Sequence, residues 1–99
     1  GQCSTVISTF SGNHLELNCW TRYGGEIFVE LADAANDTRF TPSPAIPGYS
    51  FDDCDPISGD CINQTVTWQK QPDLSAWANK PIRIRFRMRR ARIYSLQFV

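Results

Sequence analysis

Residues 80–99 read KPIRIRFRMRRARIYSLQFV, and the first part of this stretch alternates strictly between apolar and arginine side chains. Successive side chains leave a pleated strand in opposite directions, so a period of two predicts a half-buried β-strand. One face carries Ile82, Ile84, Phe86 and Met88, and the other carries Arg83, Arg85 and Arg87. The pair Arg89-Arg90 breaks the alternation, which predicts a turn or bulge before a last strand over 93–99.

Three upstream stretches, 15–20, 26–31 and 65–69, show the same alternation, and the segments between them are rich in turn-forming residues. Asp73 is placed to cap a short helical turn in which Leu74 and Trp77 share a face. No segment of the sequence sustains a helical period. We therefore predict an all-β fold, an antiparallel and jelly-roll-like β-sandwich with one short helical turn near 73–77.

A chain of 99 residues is long enough for one hydrophobic core, which predicts a single domain over 1–99. No apolar run approaches the roughly 20 residues that cross a bilayer, so we expect no membrane partner. The chain begins on strand-like sequence and ends on Val99 without a tail. We interpret it as a fragment of a longer secreted protein.

The cysteines favour an oxidising compartment, because four of them occur in a short chain without the closely spaced pairs of a zinc site. We therefore expect disulfides and a secreted or extracellular location. The sequence alone leaves every pairing open. If residues 3–10 and 15–20 form a hairpin, the favoured pairs are Cys3–Cys19 and Cys54–Cys61.

Charge is unevenly distributed although the formal net charge is zero. Every acidic residue lies at or before Asp73, whereas arginines crowd residues 83–92. These arginines could form a basic patch for nucleic acid or an acidic polymer. Glu26 and Glu30 offer the favoured alternative, because they lie on one face of a neighbouring strand and can pair with the arginines. We therefore expect no nucleic-acid partner.

Catalysis and metal binding find little support in the sequence. His14 is the single histidine and has no nucleophile motif beside it, so we predict that the protein is not an enzyme and needs no cofactor. The loop carboxylates Asp52, Asp53, Asp55 and Asp60 are weak calcium candidates. The alternative is that they form Asx-turns beside Pro56 and Gly59 and accept hydrogen bonds from the backbone.

Aromatic residues are the best functional lead. Trp20 and Phe28 fall on the polar faces of their strands, and Tyr23 falls in the segment between them. Exposed aromatic rings on a sheet can stack against the apolar face of a sugar, while Arg85 and Arg87 would bond its hydroxyls. The equally weighted alternative is that a neighbouring domain covers these rings.

Five segments resemble the C-terminal accessory β-sandwich domain of secreted bacterial glycoside-hydrolase-like proteins. They are GGEIFVELADA (24–34), PGYSFDDCDPISGD (47–60), VTWQ (66–69), DLSAWANKPIRIRF (73–86) and RIYSLQF (92–98). The resemblance spans about residues 5 to 99 and implies that the matching residues define the fold. These are Cys54, Gly59, Asp60, Trp68, Asp73, Leu74, Ser75, Lys80, Pro81, Phe86 and Tyr94. The chain departs from the pattern at Cys3, Cys19, Phe28, Cys61 and Trp77.

The residues and the resemblance together predict a non-catalytic carbohydrate-binding module of a secreted protein. Its expected partners are a polysaccharide or oligosaccharide and a neighbouring catalytic domain in the parent chain, and we expect a monomer. The alternative function is a structural accessory domain that packs against that catalytic domain and has no ligand of its own.

Overall fold

The computed structural model describes residues 11–34 and 44–99 in full and the backbone of residues 2–7. The strands are β1 (Gln2–Ile7), β2 (Leu15–Asp33), β3 (Asp60–Thr65) and β4 (Ile82–Phe98). They form one antiparallel sheet in the order β1-β4-β2-β3. The predicted all-β, antiparallel class is confirmed, and the strands of the described residues belong to this one sheet.

Strands β2 and β4 form one long ribbon that runs from Leu15 opposite Phe98 to Asp33 opposite Ile82. The register shifts in the middle, where residues 22–25 of β2 lie opposite Arg90 alone, and Arg90 has a φ of 51°. The interruption predicted at Arg89-Arg90 is therefore a bulge. The two strands predicted over 15–20 and 26–31 are halves of a single strand.

This ribbon bends back on itself. Ile7 lies opposite Ile82, whereas the Asn13 N–H donates to the Val99 carbonyl oxygen at 2.8 Å. The covalent chain from Ile7 to Asn13 reaches about 21 Å at most, whereas a straight strand of the length of β4 would extend about 55 Å. The two ends of β4 are therefore brought together, and the apolar faces of both halves bury one common core.

The core confirms the alternation predicted for both halves of the ribbon. Among the described residues, its largest fully buried side chains are Leu15, Leu17, Cys19, Ile27, Val29, Leu31, Val66, Trp68, Leu74, Ile82 and Ile84. The strand predicted over 65–69 was misplaced, because β3 ends at Thr65. Val66 and Trp68 follow it as an irregular segment whose buried side chains pack across the sheet.

Residues 45–59 cover the edge of β2 that faces away from β4. Ile27 and Ile57 exchange backbone hydrogen bonds of 2.8 and 3.0 Å. At Val29, the N–H donates to Cys54 Sγ at 3.3 Å, and the carbonyl accepts the indole N–H of Trp68 at 3.0 Å. Side chains thus replace a neighbouring strand at this position, and the edge is closed to pairing with another chain.

The predicted hairpin of residues 3–10 with 15–20 is wrong. Strand β1 pairs with the first half of β4 instead, which places the Cys3 backbone opposite Phe86, while Cys19 lies opposite Cys61 of β3. The geometric basis for the pairs Cys3–Cys19 and Cys54–Cys61 is thereby lost. The side chain of Cys3 lies outside the described residues, and the other cysteines carry free thiols.

The predicted helical turn is confirmed as a 3-10 turn at Ser75–Trp77. The Ser75 N–H donates to Asp73 Oδ1 at 2.9 Å, and this bond lowers the pKa of the Asp73 carboxyl. Leu74 is buried, whereas Trp77 is half-buried beneath the ammonium of Lys80, 5.2 Å from the ring centroid.

Across the described part of the chain, no helix is long and apolar enough to span a membrane.

Candidate functional site

The polar face of the ribbon's second half lies opposite the core. Three cross-strand pairs follow one another there: Glu26 opposite Arg89, Phe28 opposite Arg87, and Glu30 opposite Arg85. Side chains that are directly opposite on one face of an antiparallel pair are within contact range. The predicted placement of acidic residues beside the arginines is therefore confirmed in register.

Glu30 is the centre of a small polar network. Its Oε1 accepts a hydrogen bond from Arg85 Nη1 at 2.8 Å, and the two side chains are 13% and 21% exposed. Its Oε2 accepts the Phe51 N–H at 3.3 Å. The Phe51 ring in turn lies against Arg87, with the guanidinium carbon 4.4 Å from the ring centroid. Phe51 thus contacts Arg87 directly through its ring, and it is linked to Arg85 through the Glu30 carboxylate.

Beside this network lies a depression of about 260 Å³, lined by Glu26, Phe28, Arg87, Met88 and Arg89. Phe28 is half-buried and contributes an aromatic surface, while Arg87 and Arg89 are exposed. Arg89 is fixed at the bend, because its Nη2 donates to the Gly24 carbonyl oxygen at 2.9 Å. The depression therefore combines an apolar surface, guanidinium donors and one carboxylate acceptor.

The residues predicted from the sequence to bind carbohydrate are separated by the bend. Phe28 and Arg87 both line the depression, and Arg85 adjoins it through Glu30. Trp20 is half-buried in the other half of the ribbon, where its register partners are Arg92 and Asp60. Tyr23 is 99% exposed at the bend and is not among the lining residues.

The lining residues that the site prediction omitted are Glu26, Met88 and Arg89. The sequence could have indicated the two charged residues, because Glu26 lies on the same strand face as Phe28 and Arg89 continues the spacing of Arg85 and Arg87. Phe51 gave no such signal, because it reaches the face from a loop that is distant in the sequence.

The acidic loop is organised by internal hydrogen bonds. Asp53 accepts from Ser50 Oγ and Gln69 Nε2, each at 2.8 Å. Asp55 accepts from Thr67 Oγ1 at 2.6 Å and from the Lys70 N–H at 2.7 Å, and these bonds lower its pKa. In the ranges that the structure describes, no three His, Cys, Asp or Glu side chains converge as metal ligands. The calcium hypothesis for Asp52, Asp53, Asp55 and Asp60 stays a prediction, and the bonds at Asp53 and Asp55 are of the kind that the alternative role in the loop expects.

We expect Glu30→Gln to lower the free energy of unfolding by about 1–2 kcal/mol, between the values for exposed and buried ion pairs. The substitution removes the charge opposite Arg85 and weakens the acceptor for the Phe51 N–H. Urea-induced unfolding measures the change. The matched control is Glu16→Gln, because Glu16 accepts an exposed bond from Gln97 at 3.1 Å. Equal losses in the two variants would contradict a stabilising role for the Glu30 network.

The resemblance to accessory domains of glycoside-hydrolase-like proteins stays a prediction. The chain matches no protein-family model, no curated protein and no solved structure.

Proposed function

We propose that the protein is a non-catalytic carbohydrate-binding β-domain, and that it binds a sugar unit in the depression beside Phe28. The observation that carries the proposal is the meeting of a half-buried aromatic ring with Arg87, Arg89 and Glu26 on one rigid sheet face. Sugar rings have an apolar face for stacking and hydroxyls that both donate and accept. The depression offers a matching surface for each of these properties.

Size supports a small ligand. The volume of about 260 Å³ lies just below the range typical of drug-sized ligands, about 300–1,000 Å³. It suits one sugar ring of a longer chain rather than an enclosed oligosaccharide. We therefore expect weak binding, with dissociation constants between about micromolar and millimolar.

The pairing of Arg87 with the Phe51 ring supports a binding role for this arginine. A guanidinium whose plane is held against an aromatic ring loses less conformational entropy when it bonds a ligand. Glu26 contributes an acceptor, and Arg89 is already oriented by the Gly24 carbonyl. The charged groups are thus partly preorganised before a ligand arrives.

We expect Phe28→Ala and Arg87→Ala each to weaken glycan binding about tenfold, since each removes roughly 1–2 kcal/mol of stacking or hydrogen bonding. The measurement is a titration of the intact protein against a panel of neutral and acidic polysaccharides. Tyr94→Ala is the matched aromatic control, because Tyr94 is 66% exposed on β4 and does not line the depression.

Trp20→Ala separates this site from the one predicted by sequence alone. We expect it to leave binding unchanged, because Trp20 lies in the other half of the ribbon. Binding that survives Phe28→Ala and Arg87→Ala would disprove the depression as the site. A folded protein that binds no polysaccharide of the panel would disprove the function.

A second candidate is a structural accessory domain that packs against a catalytic neighbour. It is favoured by the exposure of large apolar side chains, 82% for Ile62 and 66% for Tyr94. Such a domain, expressed alone, should self-associate as its concentration rises, whereas the binding module should stay monomeric.

Under either function we propose that the bent ribbon serves as the two layers of the jelly-roll-like sandwich expected from the sequence.

A further inference from the structure

Cys19 of β2 and Cys61 of β3 lie directly opposite each other in the sheet. Residues opposed in an antiparallel pair have Cα atoms about 4.5–5.5 Å apart. That separation lies within the range of about 4.4–6.8 Å that a disulfide requires. This pair therefore has the relative placement that the hairpin prediction assigned to Cys3 and Cys19.

Hydrogen bonds on both sides of the two cysteines hold the register. The Thr21 N–H donates to the Gly59 carbonyl oxygen at 3.0 Å, and the Gly59 N–H donates to Thr21 Oγ1 at 2.6 Å. On the other side, the Asn63 N–H donates to Asn18 Oδ1 at 2.9 Å. The two thiols are thus kept opposite each other, and Cys61 belongs to a strand that lies at the edge of the sheet and pairs with β2 alone among the described strands.

The two thiols differ in accessibility. Cys19 is 1% exposed, and its burial together with the neighbouring Cys61 thiol raises its pKa to about 11. Cys61 is half-buried at the edge, where its Sγ donates to the Ser58 carbonyl oxygen at 3.4 Å. Cys61 is therefore the thiol that an external reagent meets first, and Cys19 is the thiol that resolves the reaction.

Cys54 has a different environment. It is buried, burial raises its pKa to about 11, and its Sγ accepts the Val29 N–H. Val29 lies in the second half of β2, beyond the bend from Cys19. Its bonding partners give Cys54 a structural role at the edge of β2 rather than a role as the partner of Cys61.

We propose that Cys19 and Cys61 are a redox modification site, which a low-molecular-weight disulfide such as oxidised glutathione converts into a cross-strand disulfide. The Cys61 thiolate attacks one sulfur of the small disulfide, which breaks the S–S bond, releases one small thiol and leaves a mixed disulfide on Cys61. Cys19 then loses its proton and attacks the Cys61 sulfur, which expels the second small thiol. The protein thiols are oxidised, and the small disulfide is reduced.

The new bond would tie the edge strand β3 to β2. Strand β3 has six residues and lies at the edge of the sheet, where it pairs with β2. A short edge strand opens more easily than a central one, so we expect β3 to detach from β2 readily. The link also closes the long stretch of chain between residues 19 and 61 in the unfolded state. We therefore expect oxidation to raise the melting temperature by about 10 °C.

The test treats the folded protein with oxidised glutathione, alkylates the remaining thiols in denaturant and maps the peptides without reduction. We expect a Cys19–Cys61 linked peptide and an alkylated Cys54. Cys61→Ser is expected to fold, because the position is partly exposed, and to lose the difference in melting temperature between oxidised and reduced samples. A link from Cys61 to Cys54 or Cys3, alkylated Cys19 and Cys61 after treatment, or an unchanged difference in the variant would overturn the proposal.

Discussion

Trp68→Ala should lower the free energy of unfolding by about 3–5 kcal/mol, the range for truncating a large aromatic residue in a core. Trp68 is fully buried, and its ring packs edge-on against Tyr49 with the centroids 5.2 Å apart. Its indole N–H is also the donor for the Val29 carbonyl at the edge of β2. The substitution therefore leaves both a cavity and an unpaired buried acceptor. Since small domains are stable by about 5–15 kcal/mol, this loss is a large fraction of the total stability.

Two further variants separate the contributions. Trp68→Phe keeps a phenyl ring but removes the N–H and part of the indole, so we expect it to cost about 1–3 kcal/mol, from the unsatisfied Val29 carbonyl and a smaller cavity. Trp77→Ala is the matched control, because Trp77 is half-buried in the 3-10 turn and should cost less than Trp68→Ala. Urea unfolding followed by far-ultraviolet circular dichroism measures all three. A Trp77→Ala variant less stable than Trp68→Ala would contradict the assigned core.

The alternation of apolar and polar residues was a reliable guide to which residues are buried. Leu15, Leu17, Ile27 and Val29 all lie on the core face that the period of two assigns to them. Burial of one face is a local requirement, and it therefore leaves a local pattern in the sequence. The partner of a strand leaves no such pattern. For this reason the pairing of β1 with β4, rather than with residues 15–20, was missed.

The same distinction explains the site. Phe28 and Arg87 were predicted because each belongs to an alternating strand, and the register then places them opposite each other. Trp20 was included because the same alternation places it on the polar face of its strand, and Tyr23 because it lies in the segment between the two stretches. The bend between the halves of β2 separates Trp20 and Tyr23 from the depression. The bend lies at the glycines of positions 24–25. Adjacent glycines favour a turn in sequence analysis, but here they allow a bulge within a continuous strand.

Gly25→Ala should be the most damaging change at the bend, with an expected loss of about 3 kcal/mol, near the upper end of overpacking costs. An alanine Cβ would lie 2.6 Å from the Arg90 carbonyl oxygen, 2.8 Å from that of Arg89 and 2.9 Å from that of Arg22. All three are backbone atoms, so none can move aside by changing a rotamer. The strands must separate where residues 22–25 face Arg90, and separation there also displaces Glu26 and Arg89 of the depression.

Gly24→Ala is the matched control for this prediction. Gly24 has a φ of +76°, but the nearest atom to its added Cβ is Arg90 Nη1 at 3.8 Å, the end of a flexible side chain. The expected cost is about 1 kcal/mol, that of a non-glycine residue in the left-handed region. Thermal unfolding distinguishes the variants, because 1 kcal/mol shifts the melting temperature of such a domain by about 4–8 °C. If Gly24→Ala proved as destabilising as Gly25→Ala, close strand contact at position 25 would not be the dominant constraint on the bend, and the prediction would be wrong.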